Sequence, residues 1–175
     1  MRKVILDLCG GTGAWSKPYA DAGYDVRLVD LPHDVRLMKL PDIPIHGILA
    51  APPCTRFSYA RNRFPAGDVE LRDALSIVDA CVRLAYVIRP EWWALENPVN
   101  LLRRYLGKPA WTFRQYEYGD PADKFTALWG RFTPPMKMVA RRTKPSTFKT
   151  SRHNADPKDA ITPAGFARAF FEANP

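Results

Sequence analysis

The stretch Val4-Ile5-Leu6-Asp7-Leu8-Cys9-Gly10-Gly11-Thr12-Gly13 decides the fold class. Val4 to Leu8 is a short apolar run that ends in a glycine cluster, which reads as a buried strand entering a tight turn. Glycines between a strand and a helix let the backbone come close to a ligand. The spacing is not Gly-x-Gly-x-x-Gly, and no Gly-Lys-Ser/Thr is present, so neither a dinucleotide nor a triphosphate loop is specified. Trp15 to Ala22 extends the pattern as a helix stopped by Gly23. Asp25 to Asp30 follows as a second strand, with Val26, Leu28 and Val29 apolar. Its terminal Asp30 is an acid able to hold the two hydroxyls of a ribose. Together the turn and the acid point to an adenosine-type cofactor such as S-adenosylmethionine. The plain alternative is an α/β turn whose glycines serve geometry alone.

The same alternation continues down the chain. His46 to Ala51 reads as a third strand broken by Pro52-Pro53, and Trp92 to Leu95 as a fourth stopped by Asn97-Pro98. Between them, Leu71 to Ile88 has Leu75, Val78, Val82, Ala85 and Tyr86 at helical spacing, with Pro90 as the stop. A short helix is expected around Leu101 to Leu106. Trp111 to Tyr118 and Thr126 to Phe132 look like two further strands forming an antiparallel hairpin at one edge. Thr133 to Ala160 is proline-rich, basic and aperiodic, and is expected to be an extended loop. Pro163 to Ala173 closes as an apolar helix, with Thr162 as cap and Pro163 in the first turn. Alternating strands and helices predict an open, mostly parallel α/β sheet.

The chain has 175 residues, which favours a single domain over residues 1–175 with a core of its own. No apolar run is long enough to cross a bilayer and no targeting segment is evident, so cytoplasmic residence is expected. Cys9, Cys54 and Cys81 are odd in number and widely spaced, with no Cys-x-x-Cys pair or Cys/His cluster to hold a metal. A reducing compartment fits them, and there a free thiol can act as a nucleophile. The formal net charge is +8, which favours a polyanionic partner, nucleic acid first. From Arg131 to Arg152 the chain carries Lys137, Arg141, Arg142, Lys144 and Lys149 and no acid. Arg56, Arg61 and Arg63 form a second basic group.

Two motifs carry chemistry. Ala51-Pro52-Pro53-Cys54-Thr55-Arg56 sits at the carboxyl end of a strand, where open α/β sheets place ligands. The prolines fix the backbone and present the thiol rigidly. The arginines that follow are expected to favour thiolate. Leu95-Glu96-Asn97-Pro98 ends another strand, so its carboxyl is expected at the same sheet edge as Cys54. Taken singly, a buried apolar cysteine and a helix-start acid explain these features as well.

In this order and spacing the three motifs resemble the DNA (cytosine-5) methyltransferase family, and its small phage-type members most. The likeness rests on Asp7 to Gly13, on "HGILAAPPCTRFS", on "ENP", on the "YGDP…K.TALWG" strand pair and on the final "ITPAGFARAFFEANP". It implies a Rossmann-like sheet of the S-adenosylmethionine-dependent methyltransferase type. It also implies catalytic roles for Cys54, Glu96 and Lys124. Asp7, Gly10, Gly11, Gly13, Trp15 and Pro52 would line the cofactor, with Asp30 on the ribose and Asp34 near the adenine. Cys54 would add to cytosine C6, and Glu96 would meet the N3 edge and the amine. The substrate would be DNA, with RNA as the rival and a non-catalytic DNA-binding relative as a third reading. Nucleic acid would lie along Arg56, Arg61, Arg63 and the 133–160 loop with Arg141, Arg142, Lys144, Lys149 and Arg152. Two departures stand out. Typical members have Gln-x-Arg-x-Arg after a Tyr-Gly-x-Pro turn, where this chain has Lys124 and Thr126. There is also no room for a separate target-recognition domain, so specificity would come from a short loop, a homodimer or another chain. Lys124 also leaves room for a charged, modified methyl donor.

Overall fold

A computed structural model describes residues 2–57, 67–138 and 161–175. The strands are β1 (Val4–Leu8), β2 (Asp25–Val29), β3 (Gly47–Ala50), β4 (Trp92–Pro98), β5 (Trp111–Arg114) and β6 (Phe125–Arg131). The helices are α1 (Lys17–Asp21), α2 (Asp68–Ile88), α3 (Arg103–Leu106) and α4 (Ala164–Ala173). The sheet order is β2-β1-β3-β4-β6-β5. The first four strands in that order run parallel, whereas β6 pairs antiparallel with both β4 and β5. This is the open α/β sheet with an antiparallel edge hairpin that the sequence predicts.

Strand alternation divides the core into two layers. Leu6, Leu8, Ile48, Ala50, Leu95 and Trp129 face α2, where they meet Val78, Cys81 and Leu84. Ile5, Leu49, Trp92, Ala94 and Leu128 face the other side, against Trp15, Tyr19, Phe166 and Phe170 from the α1 and α4 layer. Each fully buried large side chain contributes about 1.5–3 kcal/mol, so both layers are needed to hold a sheet this apolar on both faces. Phe113 and Phe166 stack at 4.2 Å, which seats α4 against the edge hairpin.

Several boundaries differ from the sequence reading, each for a local reason. The long helix begins at Asp68, one turn before the expected Leu71. That first turn is solvent-facing, so it lacks apolar periodicity, but Asp68 and Glu70 suit the helix dipole. The expected strand Trp111 to Tyr118 stops at Arg114. Gln115–Tyr118 is instead a 3₁₀ turn, closed by Glu117 accepting the Arg114 amide at 2.7 Å and by left-handed Gly119. β4 runs through Asn97 to Pro98, because Pro98 lies at the last paired position opposite Thr126. Pro163 is itself the cap residue of α4: its carbonyl accepts the first helical bond from Ala167, which leaves Thr162 outside the helix.

The second residue of α4 explains how tightly that helix is seated. A Cβ on Gly165 would lie 2.0 Å from the Tyr118 carbonyl oxygen. Gly165→Ala is therefore expected to lower stability by about 1–3 kcal/mol through overpacking, although alanine is the better helix former. Gly67→Ser, which meets open space at the start of α2, is expected to raise stability by a few tenths of a kcal/mol, roughly the serine-over-glycine cap preference. Urea unfolding midpoints of the two variants check both signs.

Candidate active site at the carboxyl edge of the sheet

Sheet register brings the candidate residues to one edge. Leu8 is level with Val29 on one side and Ala50 on the other, and Ala50 is level with Leu95. The next residues in the four strands are Cys9, Asp30, Ala51 and Glu96. Antiparallel β6 enters at this same edge, since Thr126 pairs with Pro98. Lys124 therefore arrives beside Glu96 although β6 runs the other way.

The glycine turn is built around a buried carboxyl. Asp7 is fully buried, accepts a hydrogen bond from the Ser16 hydroxyl, and leaves Oδ1 without a partner. A Cβ on Gly10 would fall 2.3 Å from that oxygen, so only glycine fits there. Cys9, Gly11 and Gly13 all take positive φ, which lets the chain reverse over the carboxyl before α1 starts. Burial pushes the Asp7 pKa up to about 6 against the relief given by Ser16, with nearby Asp30 adding to the rise. Asp30 accepts the Leu31 amide through Oδ1 at 2.8 Å and faces Gly11 through Oδ2. Asp30, Asp7 and Asp34 each act to raise the Cys9 pKa. Asp34 is already engaged: it caps the 3₁₀ turn Val35–Leu37 and pairs with Arg36 at 2.7 Å, which holds its carboxyl below the usual range. Trp15 is packed against Phe166 and Phe170 and supports the turn from behind.

The cysteine turn is fixed at several points. The Asn97 side-chain amide donates to the Pro52 carbonyl at 3.0 Å in a buried contact. The Phe57 amide donates to the Cys54 carbonyl at 3.0 Å, and the Phe57 carbonyl accepts from Leu101 at 2.9 Å. Phe57 itself is fully buried. Cys54 is thus held between β4 and the segment that follows it. Asn97 and Phe57 are site-supporting residues to which the sequence reading gave no role. Asn97 stands inside a named motif, but only the fold reveals its partner.

The electrostatics of Cys54 differ from the sequence expectation. Burial raises its pKa, Lys124 opposes the rise and Glu96 adds to it. Among the described residues the opposing cation is Lys124 rather than Arg56, and burial outweighs it. Arg56 is turned to α2, where it pairs with Glu70 at 3.1 Å. Glu96 is also pushed up by burial and drawn down by Lys124. Glu96, Lys124, Thr126 and Gln115 line a small cavity walled by Phe113 and Phe166. The Thr126 hydroxyl there is buried without a partner.

Of the basic residues, Lys137 pairs with Glu117 at 2.8 Å, and Arg131 donates to the Pro90 carbonyl at 2.6 Å. Both are tied into the fold. Arg61, Arg63, Arg141, Arg142, Lys144, Lys149 and Arg152 lie outside the described residues. Among the described residues, no group of three or more His, Cys, Asp and Glu side chains could hold a metal ion, and no helix is long and apolar enough to cross a membrane.

Fold and site together define a mixed α/β protein with a mostly parallel sheet, an antiparallel edge, and acids and a thiol gathered at the carboxyl ends of its strands. No protein-family model and no curated protein matches the chain. Among solved structures it is similar to an E. coli prophage-encoded protein provisionally described as a DNA modification methyltransferase, with a TM-score of 0.57 and 18% identity. The match covers 74% of this chain and 46% of that one, so the chain spans about half the length of that neighbour. The likeness establishes the fold.

The buried Asp7 carboxyl has a measurable signature. Its folded pKa of about 6 lies above the ordinary 3.8, so its contribution to stability is complete below pH 3.8 and is lost as pH rises through 6. Asp7→Asn can still accept from Ser16 but cannot ionise. It is expected to be more stable than the parent above pH 6, by up to about 3 kcal/mol, and to lose the pH dependence between those values. Urea titrations of the ligand-free protein at a series of pH values check this.

Proposed function

We propose that the chain methylates carbon 5 of cytosine in DNA, with S-adenosylmethionine as donor. The observation that carries the proposal is the convergence of Cys54, Glu96 and Lys124 at the edge where the Asp7 turn and Asp30 also open. The sequence resemblance and the fold of the prophage neighbour support the same reading.

The residues at the turn fit such a donor. Asp7 Oδ1 is a buried acceptor with no partner, and Gly10 leaves the backbone bare beside it. A cationic amino-acid group would answer that acceptor, approaching over the bare backbone of the turn. Asp7, Gly10, Gly11 and Gly13 would hold the amino-acid end, and Asp30 the ribose hydroxyls. When bound, the donor supplies an electrophilic methyl group.

The chain's own residues then account for the activation of cytosine. Its C5 is a poor nucleophile. The Cys54 thiolate adds at C6 and makes C5 enamine-like. Glu96, whose pKa burial pushes up, would donate to N3 in its protonated form and receive the exocyclic amine, which neutralises the charge created by addition. Lys124 stabilises both the thiolate before addition and the glutamate after it has given its proton. Once C5 carries the new methyl group, loss of its remaining proton to a base restores the C5–C6 double bond and expels Cys54. The target base must leave the helical stack to reach this edge, so duplex DNA would be bound with base flipping. The basic residues beyond Phe132 would meet phosphates more than bases.

The pKa directions fix the pH behaviour. Thiolate at Cys54 grows as pH rises, and the protonated fraction of Glu96 shrinks. The two requirements oppose each other, so kcat/KM is expected to be bell-shaped. Glu96→Gln should cut the rate by about 10²–10⁴-fold and flatten one limb, while Cys54→Ala should abolish turnover. A tritiated methyl-transfer assay on DNA and RNA, followed by bisulfite sequencing of the product, reads activity and substrate together. DNA carrying 5-fluorocytosine should give a covalent adduct with the parent and none with Cys54→Ala. Absence of that adduct with donor present would sink the mechanism, and transfer to RNA alone would move the substrate.

A further inference from the structure

Strand β2 is an outer strand of the sheet, and among the described residues only β1 pairs with it. The Asp25 amide donates to the Lys3 carbonyl, and the Val29 carbonyl accepts from Cys9. Asp25, Val29 and, by alternation, Arg27 therefore direct their backbone groups to β1. The amides and carbonyls of Val26 and Leu28 point outward, away from the sheet. Side chains alternate across the strand as well. Asp25 and Arg27 share one face, where they pair at 3.2 Å with both side chains solvent-facing. Val26 and Leu28 share the other face with Tyr24, and Leu28 is exposed. Such an edge can accept another strand. An edge of one sign would repel a copy of itself, but this one carries both signs.

We propose that β2 pairs antiparallel with β2 of a second copy of this chain, about a two-fold axis at Val26. A ladder needs outward-facing residues opposite outward-facing residues. Among the symmetric registers that satisfy this, centring on Arg27 sets Arg27 against Arg27, and centring on Asp25 sets Asp25 against Asp25. Centring on Leu28 sets Arg27 against Val29. Centring on Val26 sets Asp25 against Arg27 of the second copy, and symmetry repeats the pair. These are non-hydrogen-bonded positions, where opposed side chains come closest. On the other face Val26 meets Val26, and Leu28 meets Tyr24, so apolar groups face apolar groups. The two Val26 residues exchange their backbone bonds. The Leu28 amide donates to the Tyr24 carbonyl, since the Tyr24 amide is already spent on Tyr19. The axis is perpendicular to the sheet, which continues across the interface with both α2 helices on one side. The carboxyl edges then open at opposite ends, so each copy keeps its own site. The inference does not rest on the function proposed above.

Sedimentation equilibrium of the full chain should give twice the mass of one chain. Val26→Pro removes an outward amide that β1 does not use, so it should yield a monomer with an unchanged circular dichroism spectrum. Asp25→Arg alone sets like charges opposite each other in this register, and so does Arg27→Asp alone. Each should dimerise at least about tenfold more weakly than the parent. Mixed in equal amounts, the two single variants restore opposite charges at both pairs and should sediment as a heterodimer. The exposed charge variants decide the matter should Val26→Pro fail to fold. A parent that stays monomeric at its highest soluble concentration overturns the proposal. So does a dimer that a folded Val26→Pro or both charge variants leave as tight as the parent's. A mixture that remains monomeric rejects this register and with it the proposal.

Discussion

Parallel pairing of β1 with strands on both sides is the constraint on which the site depends. Leu8 is level with Val29 and with Ala50, and Ala50 with Leu95. This register delivers Cys9, Asp30, Ala51 and Glu96 at one height. It is enforced by side-chain faces, because a one-residue slip inverts a strand. Slipping β4 would turn Glu96 toward Val78 and Leu84 and bring Leu95 to the polar cavity. An unpaired carboxyl in that apolar layer costs several kcal/mol. The same core that makes the sheet stable therefore also aligns its reactive groups.

The edge is also where the fold works against its own stability. Asp7, Cys54 and Glu96 are all moved by burial away from their charged forms. Apart from tryptophan indole groups, the buried side-chain polar atoms without partners among the described residues are on Asp7, Asn97 and Thr126. All three lie at the carboxyl edge. Buried polar groups are almost always satisfied in folded proteins, so a cluster of exceptions marks surface shaped for a ligand. Asn97 shows both sides of this: its amide clamps Pro52 while its carbonyl oxygen stays unpaired. Removing that clamp would free the cysteine turn from β4.

Much of this was legible in the sequence because it is written in short-range patterns. Apolar runs ending in glycine, proline or an acid gave all six strands, and helical spacing gave α2. The motif order put Cys54 and Glu96 at one sheet edge: Cys54 comes after β3, and Glu96 lies within the neighbouring β4. What escaped was set by tertiary contact. Nothing local marks Ser16 as the partner of Asp7. The strand expected through Tyr118 ended at Arg114 because Glu117 reaches back to the Arg114 amide. Alternation cannot anticipate that reversal. The charge on Cys54 was misjudged for a related reason. Sequence proximity favoured Arg56, but Glu70 on α2 takes that guanidinium, and Lys124 arrives from the far end of the sheet.

Lys124 then bears on how a base could be held. An arginine offers a planar fork with several fixed donors, whereas an ammonium is a compact charge on a flexible stem. Here that charge acts on Cys54 and Glu96 together, which a point charge does as well as a fork. What a point charge cannot supply is orientation. Orientation must then come from groups that are already rigid. Phe113 and Phe166 are locked by stacking, and Thr126 is fixed by its pairing with Pro98. The Thr126 hydroxyl faces the cavity without a partner. In the proposed reaction, the edge hairpin and α4 would shape the pocket and Lys124 would supply its field. Grip on the base and activation of the thiol, which one arginine fork could combine, would in that reaction be divided between separate elements.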